Sequence, residues 1–338
     1  MRRADKRMRS LEQSSLENFL ATDAARRAAA ISLVTQVAQG YLRLRELDER
    51  LVLARKTVAS REESFRIFKR RFEVGSTSKL DLTQVETLLW QAQSLSAQLE
   101  QQRAAQAHAL TLLVGTPVDW APGQGGVDDQ SVLSELRVGL PSDLLTSRPD
   151  IAAAEHQLKA AHANIGAARA AFFPRVTLTG AFGSASAELD GLFGAGSRSW
   201  TFLPSISLPI FDAGRNRANL DLANVRSDLA VASYEKSIQN AFRDVSDALS
   251  ARRWLTEQVR IQQNTLAAQT ERARLATLRY DNGAAAFLEV LDAQRDLLSV
   301  EQQLVQTRSA LLSSRVSLYA ALGGGTTELI SVSASRAP

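Results

Sequence analysis

Cysteine is absent from the 338-residue chain, which rules out disulfides, thiolate metal sites, a cysteine nucleophile and a lipidated cysteine within it. That absence leaves the redox compartment open. No run of about 18 apolar residues occurs, so a transmembrane helix is excluded on length, whereas a membrane β-barrel is not. Charge of one sign is nowhere gathered into a block: 40 Lys+Arg stand against 36 Asp+Glu, a net of +4. Without a basic stripe interleaved with aromatics, no nucleic-acid partner is expected. Gly-x-Ser-x-Gly, Walker and His-Glu-x-x-His motifs are missing. The three histidines, His108, His156 and His162, have no metal-ligand spacing to a carboxylate cluster and read as solvated or core residues. Catalytic, cofactor and metal sites are therefore not expected. An export signal is also lacking. The basic stretch Met1 to Ser10 is followed by polar Leu11-Glu12-Gln13-Ser14-Ser15 where a signal peptide needs an apolar region. Two readings follow, a cytoplasmic protein or a chain that starts inside a longer gene product, and the repeat described next favours the second.

What is present is mostly helix. At 45% hydrophobic the chain can bury one large core or two modest ones. From about Leu11 to Glu73 there is no proline and the only glycine is Gly40. Ile31, Val34, Ala38, Tyr41, Leu44, Leu51, Val58, Phe65, Phe68 and Phe72 recur at mixed three and four spacing. The pattern predicts one amphipathic helix roughly 90 Å long. After a short turn, Val85, Leu88, Ala92, Leu95, Leu99, Leu110 and Leu113 carry the same seam to Gly115, which completes a helical hairpin.

The second half repeats the first. A helix from about Asn216 to Asp281, a turn at Gly283 and a return helix ending at Leu322-Gly323 match the first hairpin at a common offset of 208 residues. Gly75 corresponds to Gly283, Leu80 to Leu288, Val37 to Val245 and Gly115 to Gly323 without a gap. Arg71-Phe72-Glu73-Val74-Gly75 faces Arg279-Tyr280-Asp281-Asn282-Gly283, which keeps charge and aromatic character position by position. So long a period indicates duplication of a large supersecondary unit. The expected layout is residues 1–115 for the first hairpin, 116–145 for a linker, 146–325 for the second repeat and 326–338 for a tail. The second repeat holds a helix, a β-hairpin at about 174–211 and a long helical hairpin at about 214–322.

That β-hairpin has no counterpart in the first repeat as given. Arg175 to Phe182 alternates polar and apolar, and after a Gly/Ser-rich loop Trp200, Phe202, Ile206, Leu208 and Ile210 share one face. Lengths and dyad pattern suit transmembrane strands, with Trp200 placed for an aromatic girdle. A soluble hairpin packed on a helix fits the same pattern.

Several stretches together resemble the TolC-like outer-membrane efflux family, most closely its OprM-type lipoprotein branch serving RND pumps. They are Leu140-Pro141-Ser142-Asp143-Leu144-Leu145 with Arg148-Pro149-Asp150-Ile151, Glu155-His156-Gln157-Leu158, Ala163 to Pro174, Pro209-Ile210-Phe211 and Leu291-Asp292-Ala293-Gln294-Arg295. The resemblance runs from about Arg9 to Gly325. It implies a membrane α+β fold in which a homotrimer joins a periplasmic α-barrel of long helical hairpins to an outer-membrane β-barrel. It further implies a passive exit duct for drugs or other small molecules, partnered by a periplasmic adaptor and an inner-membrane RND pump, in the Gram-negative outer membrane and periplasm. A type I secretion duct and a coiled-coil scaffold are the alternatives. Relative to that family the signal peptide, lipidation cysteine, first helix and first strand pair are missing, so the expectation is a truncated or mis-started product whose half barrel leaves open edges.

Site residues follow from the same resemblance. The two turns, Val74-Gly75-Ser76 and Asn282-Gly283-Ala284, are the expected adaptor-docking tips, although Asn282 stands where the family has valine and a purely structural turn also fits. Asp81, Glu289 and Asp292 are the expected acidic ring at the duct's narrow end, against which stands an ordinary solvated helix face. Val176, Leu178, Phe182, Trp200, Phe202, Ile206 and Leu208 are the expected lipid-facing positions.

Overall fold

The computed structural model describes residues 4–121, 146–187 and 192–324. Its elements run α1 (Ala4–Glu73), α2 (Lys79–Val114), α3 (Pro149–Ala170), β1 (Arg175–Ser184), β2 (Arg198–Ser207), α4 (Arg215–Asp281) and α5 (Phe287–Ala321). Helix α1 begins some seven residues earlier than the sequence pattern predicts, because the polar stretch 4–10 contains no helix breaker. Its 70 residues extend about 105 Å. The family-like segment Leu140 to Leu145 and most of the expected linker lie outside the described residues, as do Gly325 and the expected tail.

The chain divides into two compact units that cut across the sequence repeats. One comprises residues 1–27 and 148–240, the other residues 28–147 and 241–338. The first unit holds the start of α1, all of α3, the strand pair and the start of α4. Alanines pave its helix contacts, with Ala21, Ala24, Ala153, Ala154, Ala160 and Ala167 all buried. Such small side chains let helices approach closely. A Cβ added at Gly166 would come within 2.7 Å of the Ser10 hydroxyl. Two histidines tie the helices here. His156 Nδ1 lies 2.6 Å from the Glu17 carboxylate and His162 Nδ1 lies 2.7 Å from the Ser227 hydroxyl. Both pairs link residues far apart in sequence. Among the described residues no cluster of His, Cys, Asp or Glu is arranged to hold a metal.

In the second unit α1 lies between α2 and α5, and α5 packs on α4. Leu47, Leu51 and Ala54 of α1 bury against Leu99 of α2. Leu42 of α1 packs against Leu312 and Val316 of α5. Ala273 and Ala276 of α4 meet Val290 and Ala293 of α5. Side-chain ties fix the sliding register that apolar contacts alone would leave loose. Arg103 of α2 donates to Asp48 of α1 at 2.6 Å, Arg50 of α1 donates to Gln302 of α5 at 2.7 Å, and Arg61 of α1 donates to Gln294 of α5 at 2.9 Å. Burial pushes the Arg61 guanidinium below its ordinary value. Beyond α2, Trp120 is held by its Nε1 donating to Thr111 and by its carbonyl accepting from Arg103.

Near the tips, Phe68, Leu82, Val85 and Leu291 form one buried cluster drawn from α1, α2 and α5. Leu291 is its junction, with 2% exposure. Leu291→Ala should lower the stability of the helical hairpins by about 2–5 kcal/mol, because a void at a three-helix contact collapses poorly. Urea unfolding followed by helical circular dichroism checks this, and a loss under about 1 kcal/mol would contradict the packing described.

Candidate functional site

Two regions carry the expected functional positions, the strand pair and the helix tips. In the strand pair β1 and β2 run antiparallel, with Val176 opposite Ile206, Leu178 opposite Pro204, Gly180 opposite Phe202 and Phe182 opposite Trp200. Directly opposed residues share a face. The pairing therefore gathers Val176, Leu178, Phe182, Trp200, Phe202 and Ile206 on one side, as the alternation predicts. The other side carries Thr177, Thr179, Ser199, Thr201 and Ser205 along with Leu203. Leu208 falls beyond the end of β2, because Pro209 removes a backbone donor. All seven side chains are exposed, Phe182 at 82% and Trp200 at 75%. With only two strands in the described sheet, each has one edge whose backbone groups pair with no strand. The chain then turns sharply into α4. Ala213 and Gly214 adopt positive φ, and the Asp212 carboxylate accepts from the backbone N–H groups of Gly214 and Asn216. Among the described residues no helix is long and apolar enough to cross a membrane.

The two tips share one backbone design. Gly75 and Gly283 sit at φ 76 and 72, a left-handed conformation that costs a side chain about 1–2 kcal/mol. Ser76 N–H donates to the Arg71 carbonyl and Gly75 N–H to the Phe72 carbonyl. Ala284 donates to Arg279 and Gly283 to Tyr280 with matching lengths, so each long helix ends in a Schellman closure. No atom lies near either glycine's Cβ direction, and Val74, Ser76, Asn282 and Ala284 are all exposed.

The return helices start differently. At the first tip Ser78 caps α2: its hydroxyl accepts from Asp81 N–H at 3.0 Å, and the Asp81 carboxylate accepts from Ser78 N–H at 3.3 Å. The Ser78 and Thr77 hydroxyls donate to the same carboxylate. These bonds, the Ser78 hydroxyl foremost, hold Asp81 below its ordinary 3.8. The Ser-x-x-Asp spacing is the sequence signal for this capping box. At the second tip the equivalent residue, Ala286, has the same extended backbone, φ −73 and ψ 150, but no side chain to cap α5. Glu289 is instead paired with Arg279 at 2.5 Å, and Asp292 with Arg295 at 3.2 Å. The three carboxylates expected to form an acidic ring are thus each engaged by a neighbour in their own chain.

Between the hairpins, Arg71 donates to the Tyr280 hydroxyl and lies 5.5 Å from the Phe68 ring centre. Phe287 stacks against both Phe68 and Tyr280, with centroids 4.4 and 4.9 Å away. No spacing rule in the sequence could have paired Arg71 with Tyr280.

Asp81 contributes stability above pH 3.8, where it is ionised in both folded and unfolded chains, and loses it as pH falls through its depressed folded value. Asp81→Asn should therefore melt earlier than the parent at pH 7, with the gap closing below about pH 4. Conversely, Ala286→Ser should raise stability by about 1 kcal/mol, since the extended cap backbone is already in place. Melting curves of both variants across pH decide the matter.

A family model described as outer membrane efflux protein matches residues 5–116 and 140–324. The chain is 49% identical over 319 residues to the probable efflux pump outer membrane protein SepC of Pseudomonas putida, covering 94% of this chain and 66% of that protein. It is 43% identical over 327 residues to outer membrane protein OprJ of Pseudomonas aeruginosa, covering 95% of this chain and 67% of OprJ. It superposes on the open-state MtrE outer membrane channel of Neisseria gonorrhoeae with a TM-score of 0.84 at 38% identity, covering 95% of this chain and 72% of that one. For the CmeC outer membrane channel of Campylobacter jejuni the TM-score is 0.88 at 26% identity, over 96% of this chain and 71% of that one. The chain spans 66% of the length of SepC. Since the family model covers both helical hairpins and the strand pair, and SepC is 49% identical over 94% of the chain, the chain belongs to the outer membrane efflux protein family.

Proposed function

We propose that the chain contributes to a passive exit duct in the Gram-negative outer membrane, through which a tripartite RND-type system exports drugs or other small molecules. The observation that carries this reading is the strand pair's exposed apolar face, set beside a face of hydroxyl side chains. Water would penalise such a face, whereas hydrocarbon outside and a polar lumen inside suit the two sides. The open strand edges must be paired by further strands before lipid can surround them, which favours a homotrimer whose chains complete one barrel. The names of the relatives, efflux pump components such as SepC and TtgF, support the export role.

The remaining assignments build on that duct. The exposed tips Val74-Gly75-Ser76 and Asn282-Gly283-Ala284 serve as docking points for a periplasmic adaptor, which couples the duct to the inner-membrane pump. Asp81, Glu289 and Asp292 form the acidic ring at its narrow end. Arg279 and Arg295 offset the repulsion that carboxylates brought together by three chains would otherwise suffer. Energy comes from the pump, and the chain itself does no catalysis.

Ser76→Trp and Ala284→Trp, which place bulk at each tip without forcing a side chain onto the left-handed glycines, should abolish export while leaving oligomer abundance in the membrane unchanged. Dye-efflux assays in cells carrying the intact gene with its pump and adaptor test this. Normal export by the double variant would remove the docking role. Neutralising Glu289 and Asp292 to Ala should reduce cation preference and weaken block by multivalent cations in planar-bilayer recordings. Unchanged selectivity and block would reject the ring.

A further inference from the structure

Asparagine is a chemically labile side chain, because the backbone nitrogen of the next residue can attack its amide carbon and close a cyclic imide. A side chain on that next residue hinders the attack. The chain has eight asparagines. Seven lie within α1, α3 and α4, and each of these is followed by a residue that carries a side chain. Asn282 alone is followed by glycine, and it alone lies outside a helix, in the second tip. The left-handed closure that requires glycine at position 283, with φ 72, thereby sets an unhindered nitrogen directly after Asn282.

The tip leaves room for the ring. Asn282 and Gly283 are both exposed, and no atom lies within 4 Å of the point where a Cβ on Gly283 would sit. Hydrogen bonding is what restrains the reaction. Asn282 Nδ2 donates to the Leu278 carbonyl at 2.7 Å and the Asn282 N–H donates to the same carbonyl at 3.1 Å. The attacking nitrogen, Gly283 N–H, donates to the Tyr280 carbonyl at 2.9 Å. All three are bonds of the last helical turn, which opens at far lower cost than the whole fold. One opening frees the amide carbon and its nucleophile together, since both are tied into the same turn.

We propose that Asn282 is a site of spontaneous deamidation, which unties the second tip as the protein ages. The Gly283 nitrogen loses its proton to solvent base and bonds to Asn282 Cγ. The Cγ–Nδ2 bond then breaks, and Nδ2 takes up a proton and leaves as ammonia. Water opens the imide by one of two routes. Breaking the new bond from Cγ to the Gly283 nitrogen leaves aspartate, whereas breaking the original peptide bond leaves isoaspartate, with the main chain rerouted through Cβ and Cγ. No oxidant or reductant takes part.

Either product undoes the closure. A carboxylate has no proton to donate to the Leu278 carbonyl. It also adds negative charge beside Asp281 at the C-terminal end of α4, where the helix dipole disfavours it. Isoaspartate further lengthens the main chain by a methylene, which the spacing of the Schellman bonds does not accommodate. The first tip is spared, because Val74 holds the equivalent position and carries no amide.

The chemistry is the same whatever docks at the tip, so it is read without an export assay. Oligomer purified from cells carrying the intact gene is aged in heavy-oxygen water at mildly alkaline pH. It is then returned to ordinary water and digested with trypsin, which releases residues 280–295 with Asn282 as their only asparagine. Heavy oxygen should appear at position 282, as aspartate and isoaspartate together, and should be absent from Asn282→Val. It should accumulate faster as pH rises, since the attacking nitrogen must lose a proton. Because digestion takes place in ordinary water, the label marks hydrolysis in the folded protein. No label at position 282, or equal label at the other asparagines, would overturn the assignment. Asn282→Asp reads the consequence. Hydrogen exchange at Gly283 and Ala284 should quicken severalfold over the parent, with Gly75 and Ser76 unchanged, and exchange unaltered at the second tip would overturn the untying.

Discussion

The structure depends on long helices that cannot bury their own apolar seams. An isolated helix gains one hydrogen bond per residue against a comparable entropy cost, so length alone confers little stability in water. Helix α1 at 70 residues and α4 at 67 need partners along much of their length. Hairpin return through a tight turn provides the nearest partner, and contact between the two hairpins provides the next. The seams are narrow and alanine-rich in places, so side-chain ties such as Arg103 to Asp48 and Arg50 to Gln302 fix which residues face each other. A buried arginine that lost its acceptor would be costly, and that penalty opposes sliding by a heptad.

The tips show how duplication tolerates divergence. Backbone closure at Gly75 and Gly283 is the same to within a few degrees of φ, because the Schellman geometry constrains both. The side chains around it have parted. One return helix is capped by Ser78 and Asp81, whereas the other begins at Ala286 and directs its equivalent carboxylate, Glu289, to Arg279. A position that caps a helix in one repeat is thereby free to pair with an arginine in the other. The Arg71 to Tyr280 bond and the Phe68, Phe287 and Tyr280 stack then join the two hairpins just above the turns.

The strand pair obeys the opposite rule from the helices. Its apolar residues stay exposed and its hydroxyls line the other face. Under the duct proposed above, the surrounding medium changes along the chain from water to hydrocarbon. The polar helices and the apolar strand face are separated by Pro174 on one side and by the Asp212, Ala213 and Gly214 turn on the other. Proline and a positive-φ turn stop helix or strand from propagating into the neighbouring region.

Much of the architecture was legible in the residues alone. Seam spacing marked the helices, glycines marked the tips, and the 208-residue offset marked the duplication, because each is a local or periodic property. Alternation placed Val176, Phe182, Trp200 and Ile206 on one face, for a strand's period of two follows from its backbone. The tertiary structure alone decided what joins distant positions. It paired Arg71 with Tyr280, Arg279 with Glu289 and His156 with Glu17, contacts set by helix crossing and register with no spacing signature. It also ended β2 before Leu208 and carried α1 through residues 4–10, since the extent of an element depends on hydrogen bonds that the adjoining residues do or do not supply. Compact units that cut across the repeats were likewise hidden, because a helix reads as one element in sequence while its two ends pack in different surroundings.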